Sequence, residues 1–488
     1  MTKKKDKRNK SNKGHTSLSG HFRDGSTLKP PFARLPKMAP SSWMNDRLPE
    51  MVWAALIIAH HGRDNAIALF RRFLSFIGNH KCHKQLSDVT LTGISNLPTD
   101  LREEVITHIC SIDSVSYCLS PLLLFHSLPS RDIWSKYLPK LDKPPVNLLM
   151  QAVGTTLFHQ SQEATDCRWV KVTARVVAGV FHVPSDIAEQ YLGYPEVGDQ
   201  RSVRPSIRAS EMAENPLNPP DRTWPKNFWA ECWEHTACFE REDEDTPEKQ
   251  DVATIEQIQK IGSELWNHWE HTHTTTAIDA KHDAVFGAAF YGLQLLVELL
   301  IMNRTTIAGR LILRTLLETN ITLSYLCHKD DLKLWEQWRQ YGAGQVKLTW
   351  LKLDEVETKP AYISFENLEN LANEDIWQEM LNIEIGHWNK TDLRKLSVEA
   401  NKKDLYDKFY PWTSGYVHGS WGAIRATVFE TCGNPLHRLH RHPSSPKMYD
   451  DVIPDACELV EDLLALVDKM YPDFPYRISN VIEDSTSE

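Results

Sequence analysis

Apolar residues recur at three- and four-residue spacing along most of the chain, the period of a half-buried helix, and strict alternation is nearly absent. Leu48, Met51, Val52, Ala55 and Leu56 open the first such stretch beside Pro49, a good first-turn residue. Gly62 interrupts it, and Asp64 can cap a second stretch carrying Ile67, Phe70, Phe73, Leu74 and Ile77. Further helices are predicted near 99–110, 116–126, 145–158, 165–181 and 184–192. Together they predict an N-terminal helical domain over 43–195, solenoid-like or a bundle, without a repeat of fixed period. Over 196–252 the pattern lapses. Pro205, Pro216, Pro219, Pro220 and Pro225 break a polar stretch, and Trp224, Trp229 and Trp233 precede an acidic run over 240–251, so this segment reads as a linker.

Helical spacing returns over 253–475, with helices predicted near 253–270, 277–303, 305–328, 330–354, 411–431 and 450–470. Pro411 reads as a helix start, and Gly433 with Pro435 as the stop. The fold class expected is all-α, with residues 1–42 and 476–488 as a lead-in and a tail outside the two helical domains. The apolar run 285–302 is long enough for a bilayer, but Gln294, Glu298 and the small residues Gly287, Ala288, Ala289 and Gly292 make it read as a buried core helix.

Composition changes this picture in three places. The formal charge of −10 argues against a protein that coats nucleic acid over its whole surface, although residues 1–13 concentrate seven cations against Asp6. That basic start reads as a disordered, solubilising tail. No apolar stretch follows it, so no secretory signal is expected. The nine cysteines, without a Cys-x-x-Cys pair, suit a reducing compartment and a cytoplasmic protein with no membrane association. Finally, 16 Trp and 21 His are a marked excess, and the Trp falls mainly at helical positions such as Trp53, Trp266, Trp269, Trp335, Trp338 and Trp350, where it reads as packing.

Two segments carry candidate chemistry. Over 305–327 the only charges are Arg310, Arg314 and Glu318, four residues apart, which places them in one narrow stripe of an otherwise apolar helix. The stripe reads either as an exposed ion-pair row or as an Arg–Glu pair in a cleft, where Arg offers rigid donors to phosphate. Over 410–430, Gly415, Gly419 and Gly422 form a small-residue stripe on a predicted helix, and Ser414, His418, Trp421 and Arg425 form its neighbour. An imidazole titrates near neutrality and a guanidinium does not, so His418 and Arg425 can divide proton transfer from phosphate stabilisation. The bland alternative is a core histidine bonded to helix groups.

Three histidine and cysteine clusters are candidates for metal binding: His268, His271 and His273; His437, His440 and His442; Cys232, His235 and Cys238. Zinc takes four ligands, usually as two separated pairs of defined spacing, and none of these sets follows one. No metal and no cofactor is expected, and there is no phosphate-cradling glycine loop or nucleophile elbow.

The segments RTLLETNITLSYL and YPWTSGYVHGSWGAIR resemble the two signature stretches of the bacterial family known as domain of unknown function 5677, over about 250–430. In that family an Arg-x-x-x-Glu helix precedes a Tyr-x-x-x-Ser-x-x-x-His segment, which Arg314 and Glu318, then Tyr410, Ser414 and His418, reproduce. The family is similar to the HEPN superfamily of helical bundles, many of them metal-independent endoribonucleases of toxin–antitoxin and anti-phage systems. The resemblance implies a C-terminal HEPN-like bundle acting on RNA in bacterial defence. His418 would be general acid–base, Arg314 and Arg425 would stabilise phosphate with Arg310 as a further phosphate contact, Glu318 would fix Arg314, and Ser414 and Tyr410 would orient the groups. It also implies a homodimer through the Gly415/Gly419/Gly422 helix and a protein partner for the N-terminal domain. A non-catalytic helical scaffold or sensor subunit is the alternative. The chain departs from the HEPN pattern in that no Arg stands four to six residues before His418, and Arg425 follows it. The forward pattern at Arg8–His15, Arg102–His108 and Arg175–His182 is what chance supplies in so His-rich a chain.

Overall fold

Two separate sets of buried apolar side chains organise the chain. The computed structural model describes residues 18–30, 33, 42–212, 223–239, 253–302, 307–373, 380–438, 440–444 and 449–479. The fold is all-α, as expected. Among the described residues the only strands are two short ladders, antiparallel Phe22–Asp24 with Thr27–Lys29, and Phe429–Thr431 with Arg441–Pro443. The chain divides into unit 1, residues 1–241 with 431–440, and unit 2, residues 242–430 with 441–488. The basic tail and the acidic run of the sequence lie outside the described residues.

Unit 1 is built on helices Val52–His61, Arg63–Asn79, Val146–Leu157 and Gln162–Val177. Its tryptophans fill the core and also satisfy backbone carbonyls. The indole Nε1–H donates to a distant carbonyl at Trp43 (Thr156, 2.7 Å), Trp53 (Val89, 3.0 Å), Trp169 (Tyr191, 2.7 Å) and Trp224 (Pro49, 3.0 Å). A buried carbonyl without a donor is costly, so each indole contributes both apolar area and a bond the loop cannot make itself. The packing reading of Trp holds for Trp53 and Trp335, both buried, but Trp266 is more than half exposed.

The segment read as a linker is structural. Gln200–Met212 and Thr223–His235 are helices, and Val203, Ile207, Trp224, Phe228 and Cys232 belong to the unit 1 core. Val203, Ile207 and Glu211 are four residues apart, a buried stripe that the prolines and charges between them conceal. Glu211 is fully buried. Its carboxylate accepts from Lys171 Nζ at 2.9 Å and from Arg47, with Arg168 Nε at 3.4 Å. Burial works to raise its pKa, but Lys171, Arg47 and Arg168 outweigh burial and hold it below the ordinary value.

Unit 2 centres on helix Ile307–Lys329, which packs against helices Ala280–Ile301, Lys403–Val417 and Ile453–Met470. The Ala280–Ile301 helix is long and apolar enough to cross a membrane, and in this structure it supplies Val285, Ala289, Leu296 and Leu299 to the unit 2 core. The continuous helix expected over 411–431 is instead two helices, Lys403–Val417 and Trp421–Val428. Pro411, read as a start, lies inside the first, where it removes one helical N–H bond without ending the helix.

The break follows from the glycines. Gly419 takes φ +56°, in the left-handed region, and the last turn closes through Ser420 N–H to the Gly415 carbonyl at 2.8 Å. A Cβ on Gly415 would stand 2.8 Å from Ser420 Oγ. The turn therefore favours glycine at 419, and the single small-residue stripe expected as a dimer contact does not exist as one helix face.

Two outcomes follow. Glu211→Gln leaves three cations in a buried site and is expected to destabilise unit 1 by about 3–5 kcal/mol. Because the folded pKa of Glu211 is depressed, its contribution is present above the ordinary carboxylate value and is lost as pH falls through the folded value. Denaturant titrations of wild type and variant should therefore differ at pH 7 and converge in acid; a constant gap would contradict the assignment. Gly419→Ala should cost about 1–2 kcal/mol through left-handed strain and Gly419→Asn less, as read from thermal unfolding.

Candidate functional site

Helix Ile307–Lys329 presents its two arginines to different surroundings. Four residues of spacing turn the helix by about 40° beyond a full turn, which is enough to separate their partners. Arg310 is buried and donates from Nη2 to the Asp450 carbonyl at 2.8 Å, with its guanidinium 4.7 Å from the Tyr449 ring centroid. Burial lowers its pKa from the ordinary arginine value, and nearby Tyr416, Tyr449, Asp450 and Asp451 work against that shift.

Arg314 is held differently. Its Nε donates to Glu318 Oε1 at 2.5 Å, its Nη1 to the Tyr410 carbonyl at 3.4 Å, and its guanidinium carbon lies 3.5 Å from the Tyr410 ring centroid. The Arg314 side chain is 8% exposed and that of Glu318 50% exposed. Nη2 makes no hydrogen bond among the described residues. Tyr410 in turn stacks on Tyr406, with centroids 4.3 Å apart. The guanidinium is thus fixed on one edge by a carboxylate and on one face by an aromatic ring, the arrangement that pre-organises arginine as an anion receptor.

Arg314 and Glu318 line a half-open cleft of about 540 Å³ together with Tyr291, Thr315, Thr319, Thr322, Trp338 and Val417, among other residues. The cleft has the size range of a small-molecule or nucleotide site. Thr315, Thr319 and Thr322 carry no chemical signal in the sequence beyond their spacing at i, i+4 and i+7 beside the Arg–Glu stripe.

The remaining residues proposed from sequence are placed as follows. His418 is exposed on the turn after helix Lys403–Val417, next to the cleft-lining Val417. Its backbone N–H bonds the Ser414 carbonyl at 3.1 Å, and its ring enters no hydrogen bond, ion pair or ring contact among the described residues. Ser414 and Tyr410 therefore do not hold its imidazole. Arg425 is exposed on the following helix, across the break at Gly419, so it does not share a helix face with His418. Arg310 is not among the residues lining the cleft. Arg314, Glu318 and Tyr410 are brought together; among the described residues no hydrogen bond, ion pair or ring contact joins His418 or Arg425 to them.

The metal sets weighed on spacing do not assemble. His268 Nε2 bonds the Tyr471 carbonyl at 2.9 Å, and His271 Nδ1 bonds the Asn267 carbonyl at 2.6 Å. A grouping across these sets does converge: Cys238, Cys432, His437 and His440 of unit 1 bring their ligand atoms within 4.8 Å of one another. This grouping draws on two of the rejected sets and adds Cys432. Spacing could not show it, since Cys238 and His437 are 199 positions apart.

Comparison with curated proteins and with solved structures yields no match. What is recognised is the segment that carries the Arg314–Glu318 pair, Tyr410 and His418: residues 296–434 match the family of unknown function DUF5677.

Proposed function

We propose that unit 2 is a HEPN-like endoribonuclease module, with Arg314 as the phosphate receptor and His418 as the general acid–base, working in bacterial anti-phage defence or toxin-type growth control. One observation carries the reading: Arg314, almost wholly buried, is locked by Glu318 and Tyr410 and keeps Nη2 uncommitted in a cleft. A desolvated guanidinium paired on only one edge is a strong receptor for a phosphodiester oxygen. The chemistry that suits these groups is transesterification within RNA. An imidazole takes the proton of the ribose 2′-OH as that oxygen attacks the adjacent phosphorus. The 5′-oxygen departs with a proton, and a 2′,3′-cyclic phosphate remains. Arg314 would stabilise the charge that builds on the phosphoryl oxygens. No step uses a metal.

Among the described residues the His418 ring has no orienting partner, which suits a group whose geometry is set by bound RNA or by a second copy. The same observation favours the second reading, a non-catalytic helical scaffold in which Arg314–Glu318 is a structural pair.

His418→Ala is expected to slow cleavage of a fluorescent single-stranded oligoribonucleotide by about 10²–10⁴-fold, with thermal stability near wild type because the side chain is exposed. Arg314→Lys should lose a comparable factor, since a lysine cannot reproduce the fork. The assay is run without added divalent ions and reads the cyclic phosphate product. Undiminished cleavage by His418→Ala would remove His418 from the chemistry, and inert wild-type protein that still binds a partner would support the scaffold.

A further inference from the structure

We propose that Cys238, Cys432, His437 and His440 form a structural zinc site in unit 1. Only Cys432 of the four lies within the segment matched by the family.

Three sulfur–nitrogen separations match the edges of a coordination tetrahedron. Cys238 Sγ lies 3.5 Å from His437 Nδ1 and 3.7 Å from His440 Nδ1, and Cys432 Sγ lies 3.5 Å from His437 Nδ1. Zinc–sulfur bonds of about 2.3 Å and zinc–nitrogen bonds of about 2.0–2.1 Å at tetrahedral angles put S and N about 3.6 Å apart.

The hydrogen bonds around His437 aim its second nitrogen into the cluster. His437 Nε2 faces the Thr236 carbonyl at 3.1 Å and Thr236 Oγ1 at 3.0 Å. The Thr236 hydroxyl already donates to the Cys232 carbonyl at 2.8 Å, so both atoms facing Nε2 are acceptors and Nε2 carries the ring proton. Nδ1 is then a bare lone pair, and it faces two sulfurs at once. One lone pair accepts from one thiol only, so thiol protons would have to be divided between His437 and His440. A cation among the four atoms uses the lone pair of each. The Nε2–H bond to a backbone carbonyl is also the usual way a ligating imidazole is oriented.

Cys432 is fixed in place by backbone donors. The backbone N–H groups of Phe239 and Asn434 both point at its Sγ from 3.4 Å. The frame around the cluster is rigid: Gly433 N–H bonds the Phe239 carbonyl and Cys432 N–H the His440 carbonyl, each at 2.9 Å, and Asn434 Nδ2 bonds the Ala237 carbonyl at 2.8 Å. The Trp233 ring lies 5.0 Å and 4.7 Å from the His437 and His440 rings. Two thiolates and two imidazoles, with no carboxylate among them, select zinc over magnesium or calcium, and four protein ligands leave no open position for catalysis. The ion would tie residues 431–440, which return to unit 1 after the whole of residues 242–430, to the strand of chain following helix Thr223–His235.

The test uses the full chain purified with reduced thiols. Elemental analysis should find close to one zinc per chain in wild type and in the control His442→Asn, and a large loss in Cys432→Ser and His440→Asn. Exchange with Co(II) in wild type should give the intense visible bands of a tetrahedral site together with thiolate-to-metal charge transfer, a readout that does not depend on a variant folding. Thiol-reduced wild type that takes up neither metal would overturn the proposal. So would full zinc occupancy in both ligand variants, or a Cys238–Cys432 disulfide found by mass spectrometry in freshly lysed cells.

Discussion

Burial of helix Ile307–Lys329 is the constraint on which unit 2 depends. Leu313, Leu316, Leu317 and Ile321 face inward, and Asn320, fully buried, survives there only because its Nδ2 bonds the Leu459 carbonyl at 2.9 Å. A helix surrounded on most sides can carry a cation only where a neighbour supplies acceptors. Arg310 and Arg314 meet that condition in different ways. A backbone carbonyl and the Tyr449 ring accommodate Arg310, whereas Arg314 has a carboxylate one turn away and the Tyr410 ring over its face. The second arrangement holds the guanidinium without exhausting its donors. Packing therefore leaves an uncommitted guanidinium donor at Arg314.

The features legible in the sequence are those encoded within one helical turn. The 3.6-residue period predicts the central helix to within two residues of Ile307–Lys329, and four-residue spacing predicts the Arg314–Glu318 contact. Features that depend on a backbone reversal or on distant residues were not legible. Glycines at 415, 419 and 422 read equally well as a packing stripe or as a turn, and only the left-handed Gly419 separates the two. Prolines over 196–225 outweighed the Val203, Ile207, Glu211 stripe because the intervening residues are charged. The stripe is nonetheless the stronger signal, since a chain with three positions in one register can bury them whatever the composition between.

Unit 1 meets the same demand by a different composition. Its indoles place N–H donors against carbonyls that loops cannot otherwise pair, which gives the tryptophan excess a polar as well as an apolar purpose. Glu211 is the converse case, an anion balanced by Arg47, Arg168 and Lys171. Removing either side of that balance leaves charge in a low-dielectric interior, which is why the cluster holds Gln200–Met212 so firmly to a domain that the prolines alone would place it outside.

Pairing of buried polar groups accordingly links every part of the structure discussed. For Glu211 the protein supplies enough positive charge. For Arg314 it supplies enough acceptors to hold the group and too few to saturate it, which is what a receptor needs. At His437 two sulfurs converge on one lone pair, and the backbone N–H groups of Phe239 and Asn434 point at one of those sulfurs. Thiol protons can be accommodated there only by dividing the sulfurs between two rings, Cys432 on His437 Nδ1 and Cys238 on His440 Nδ1. A divalent cation at the centre engages both sulfurs and both rings at once, and it does so at a point where the chain has travelled 199 positions to bring the ligands into contact.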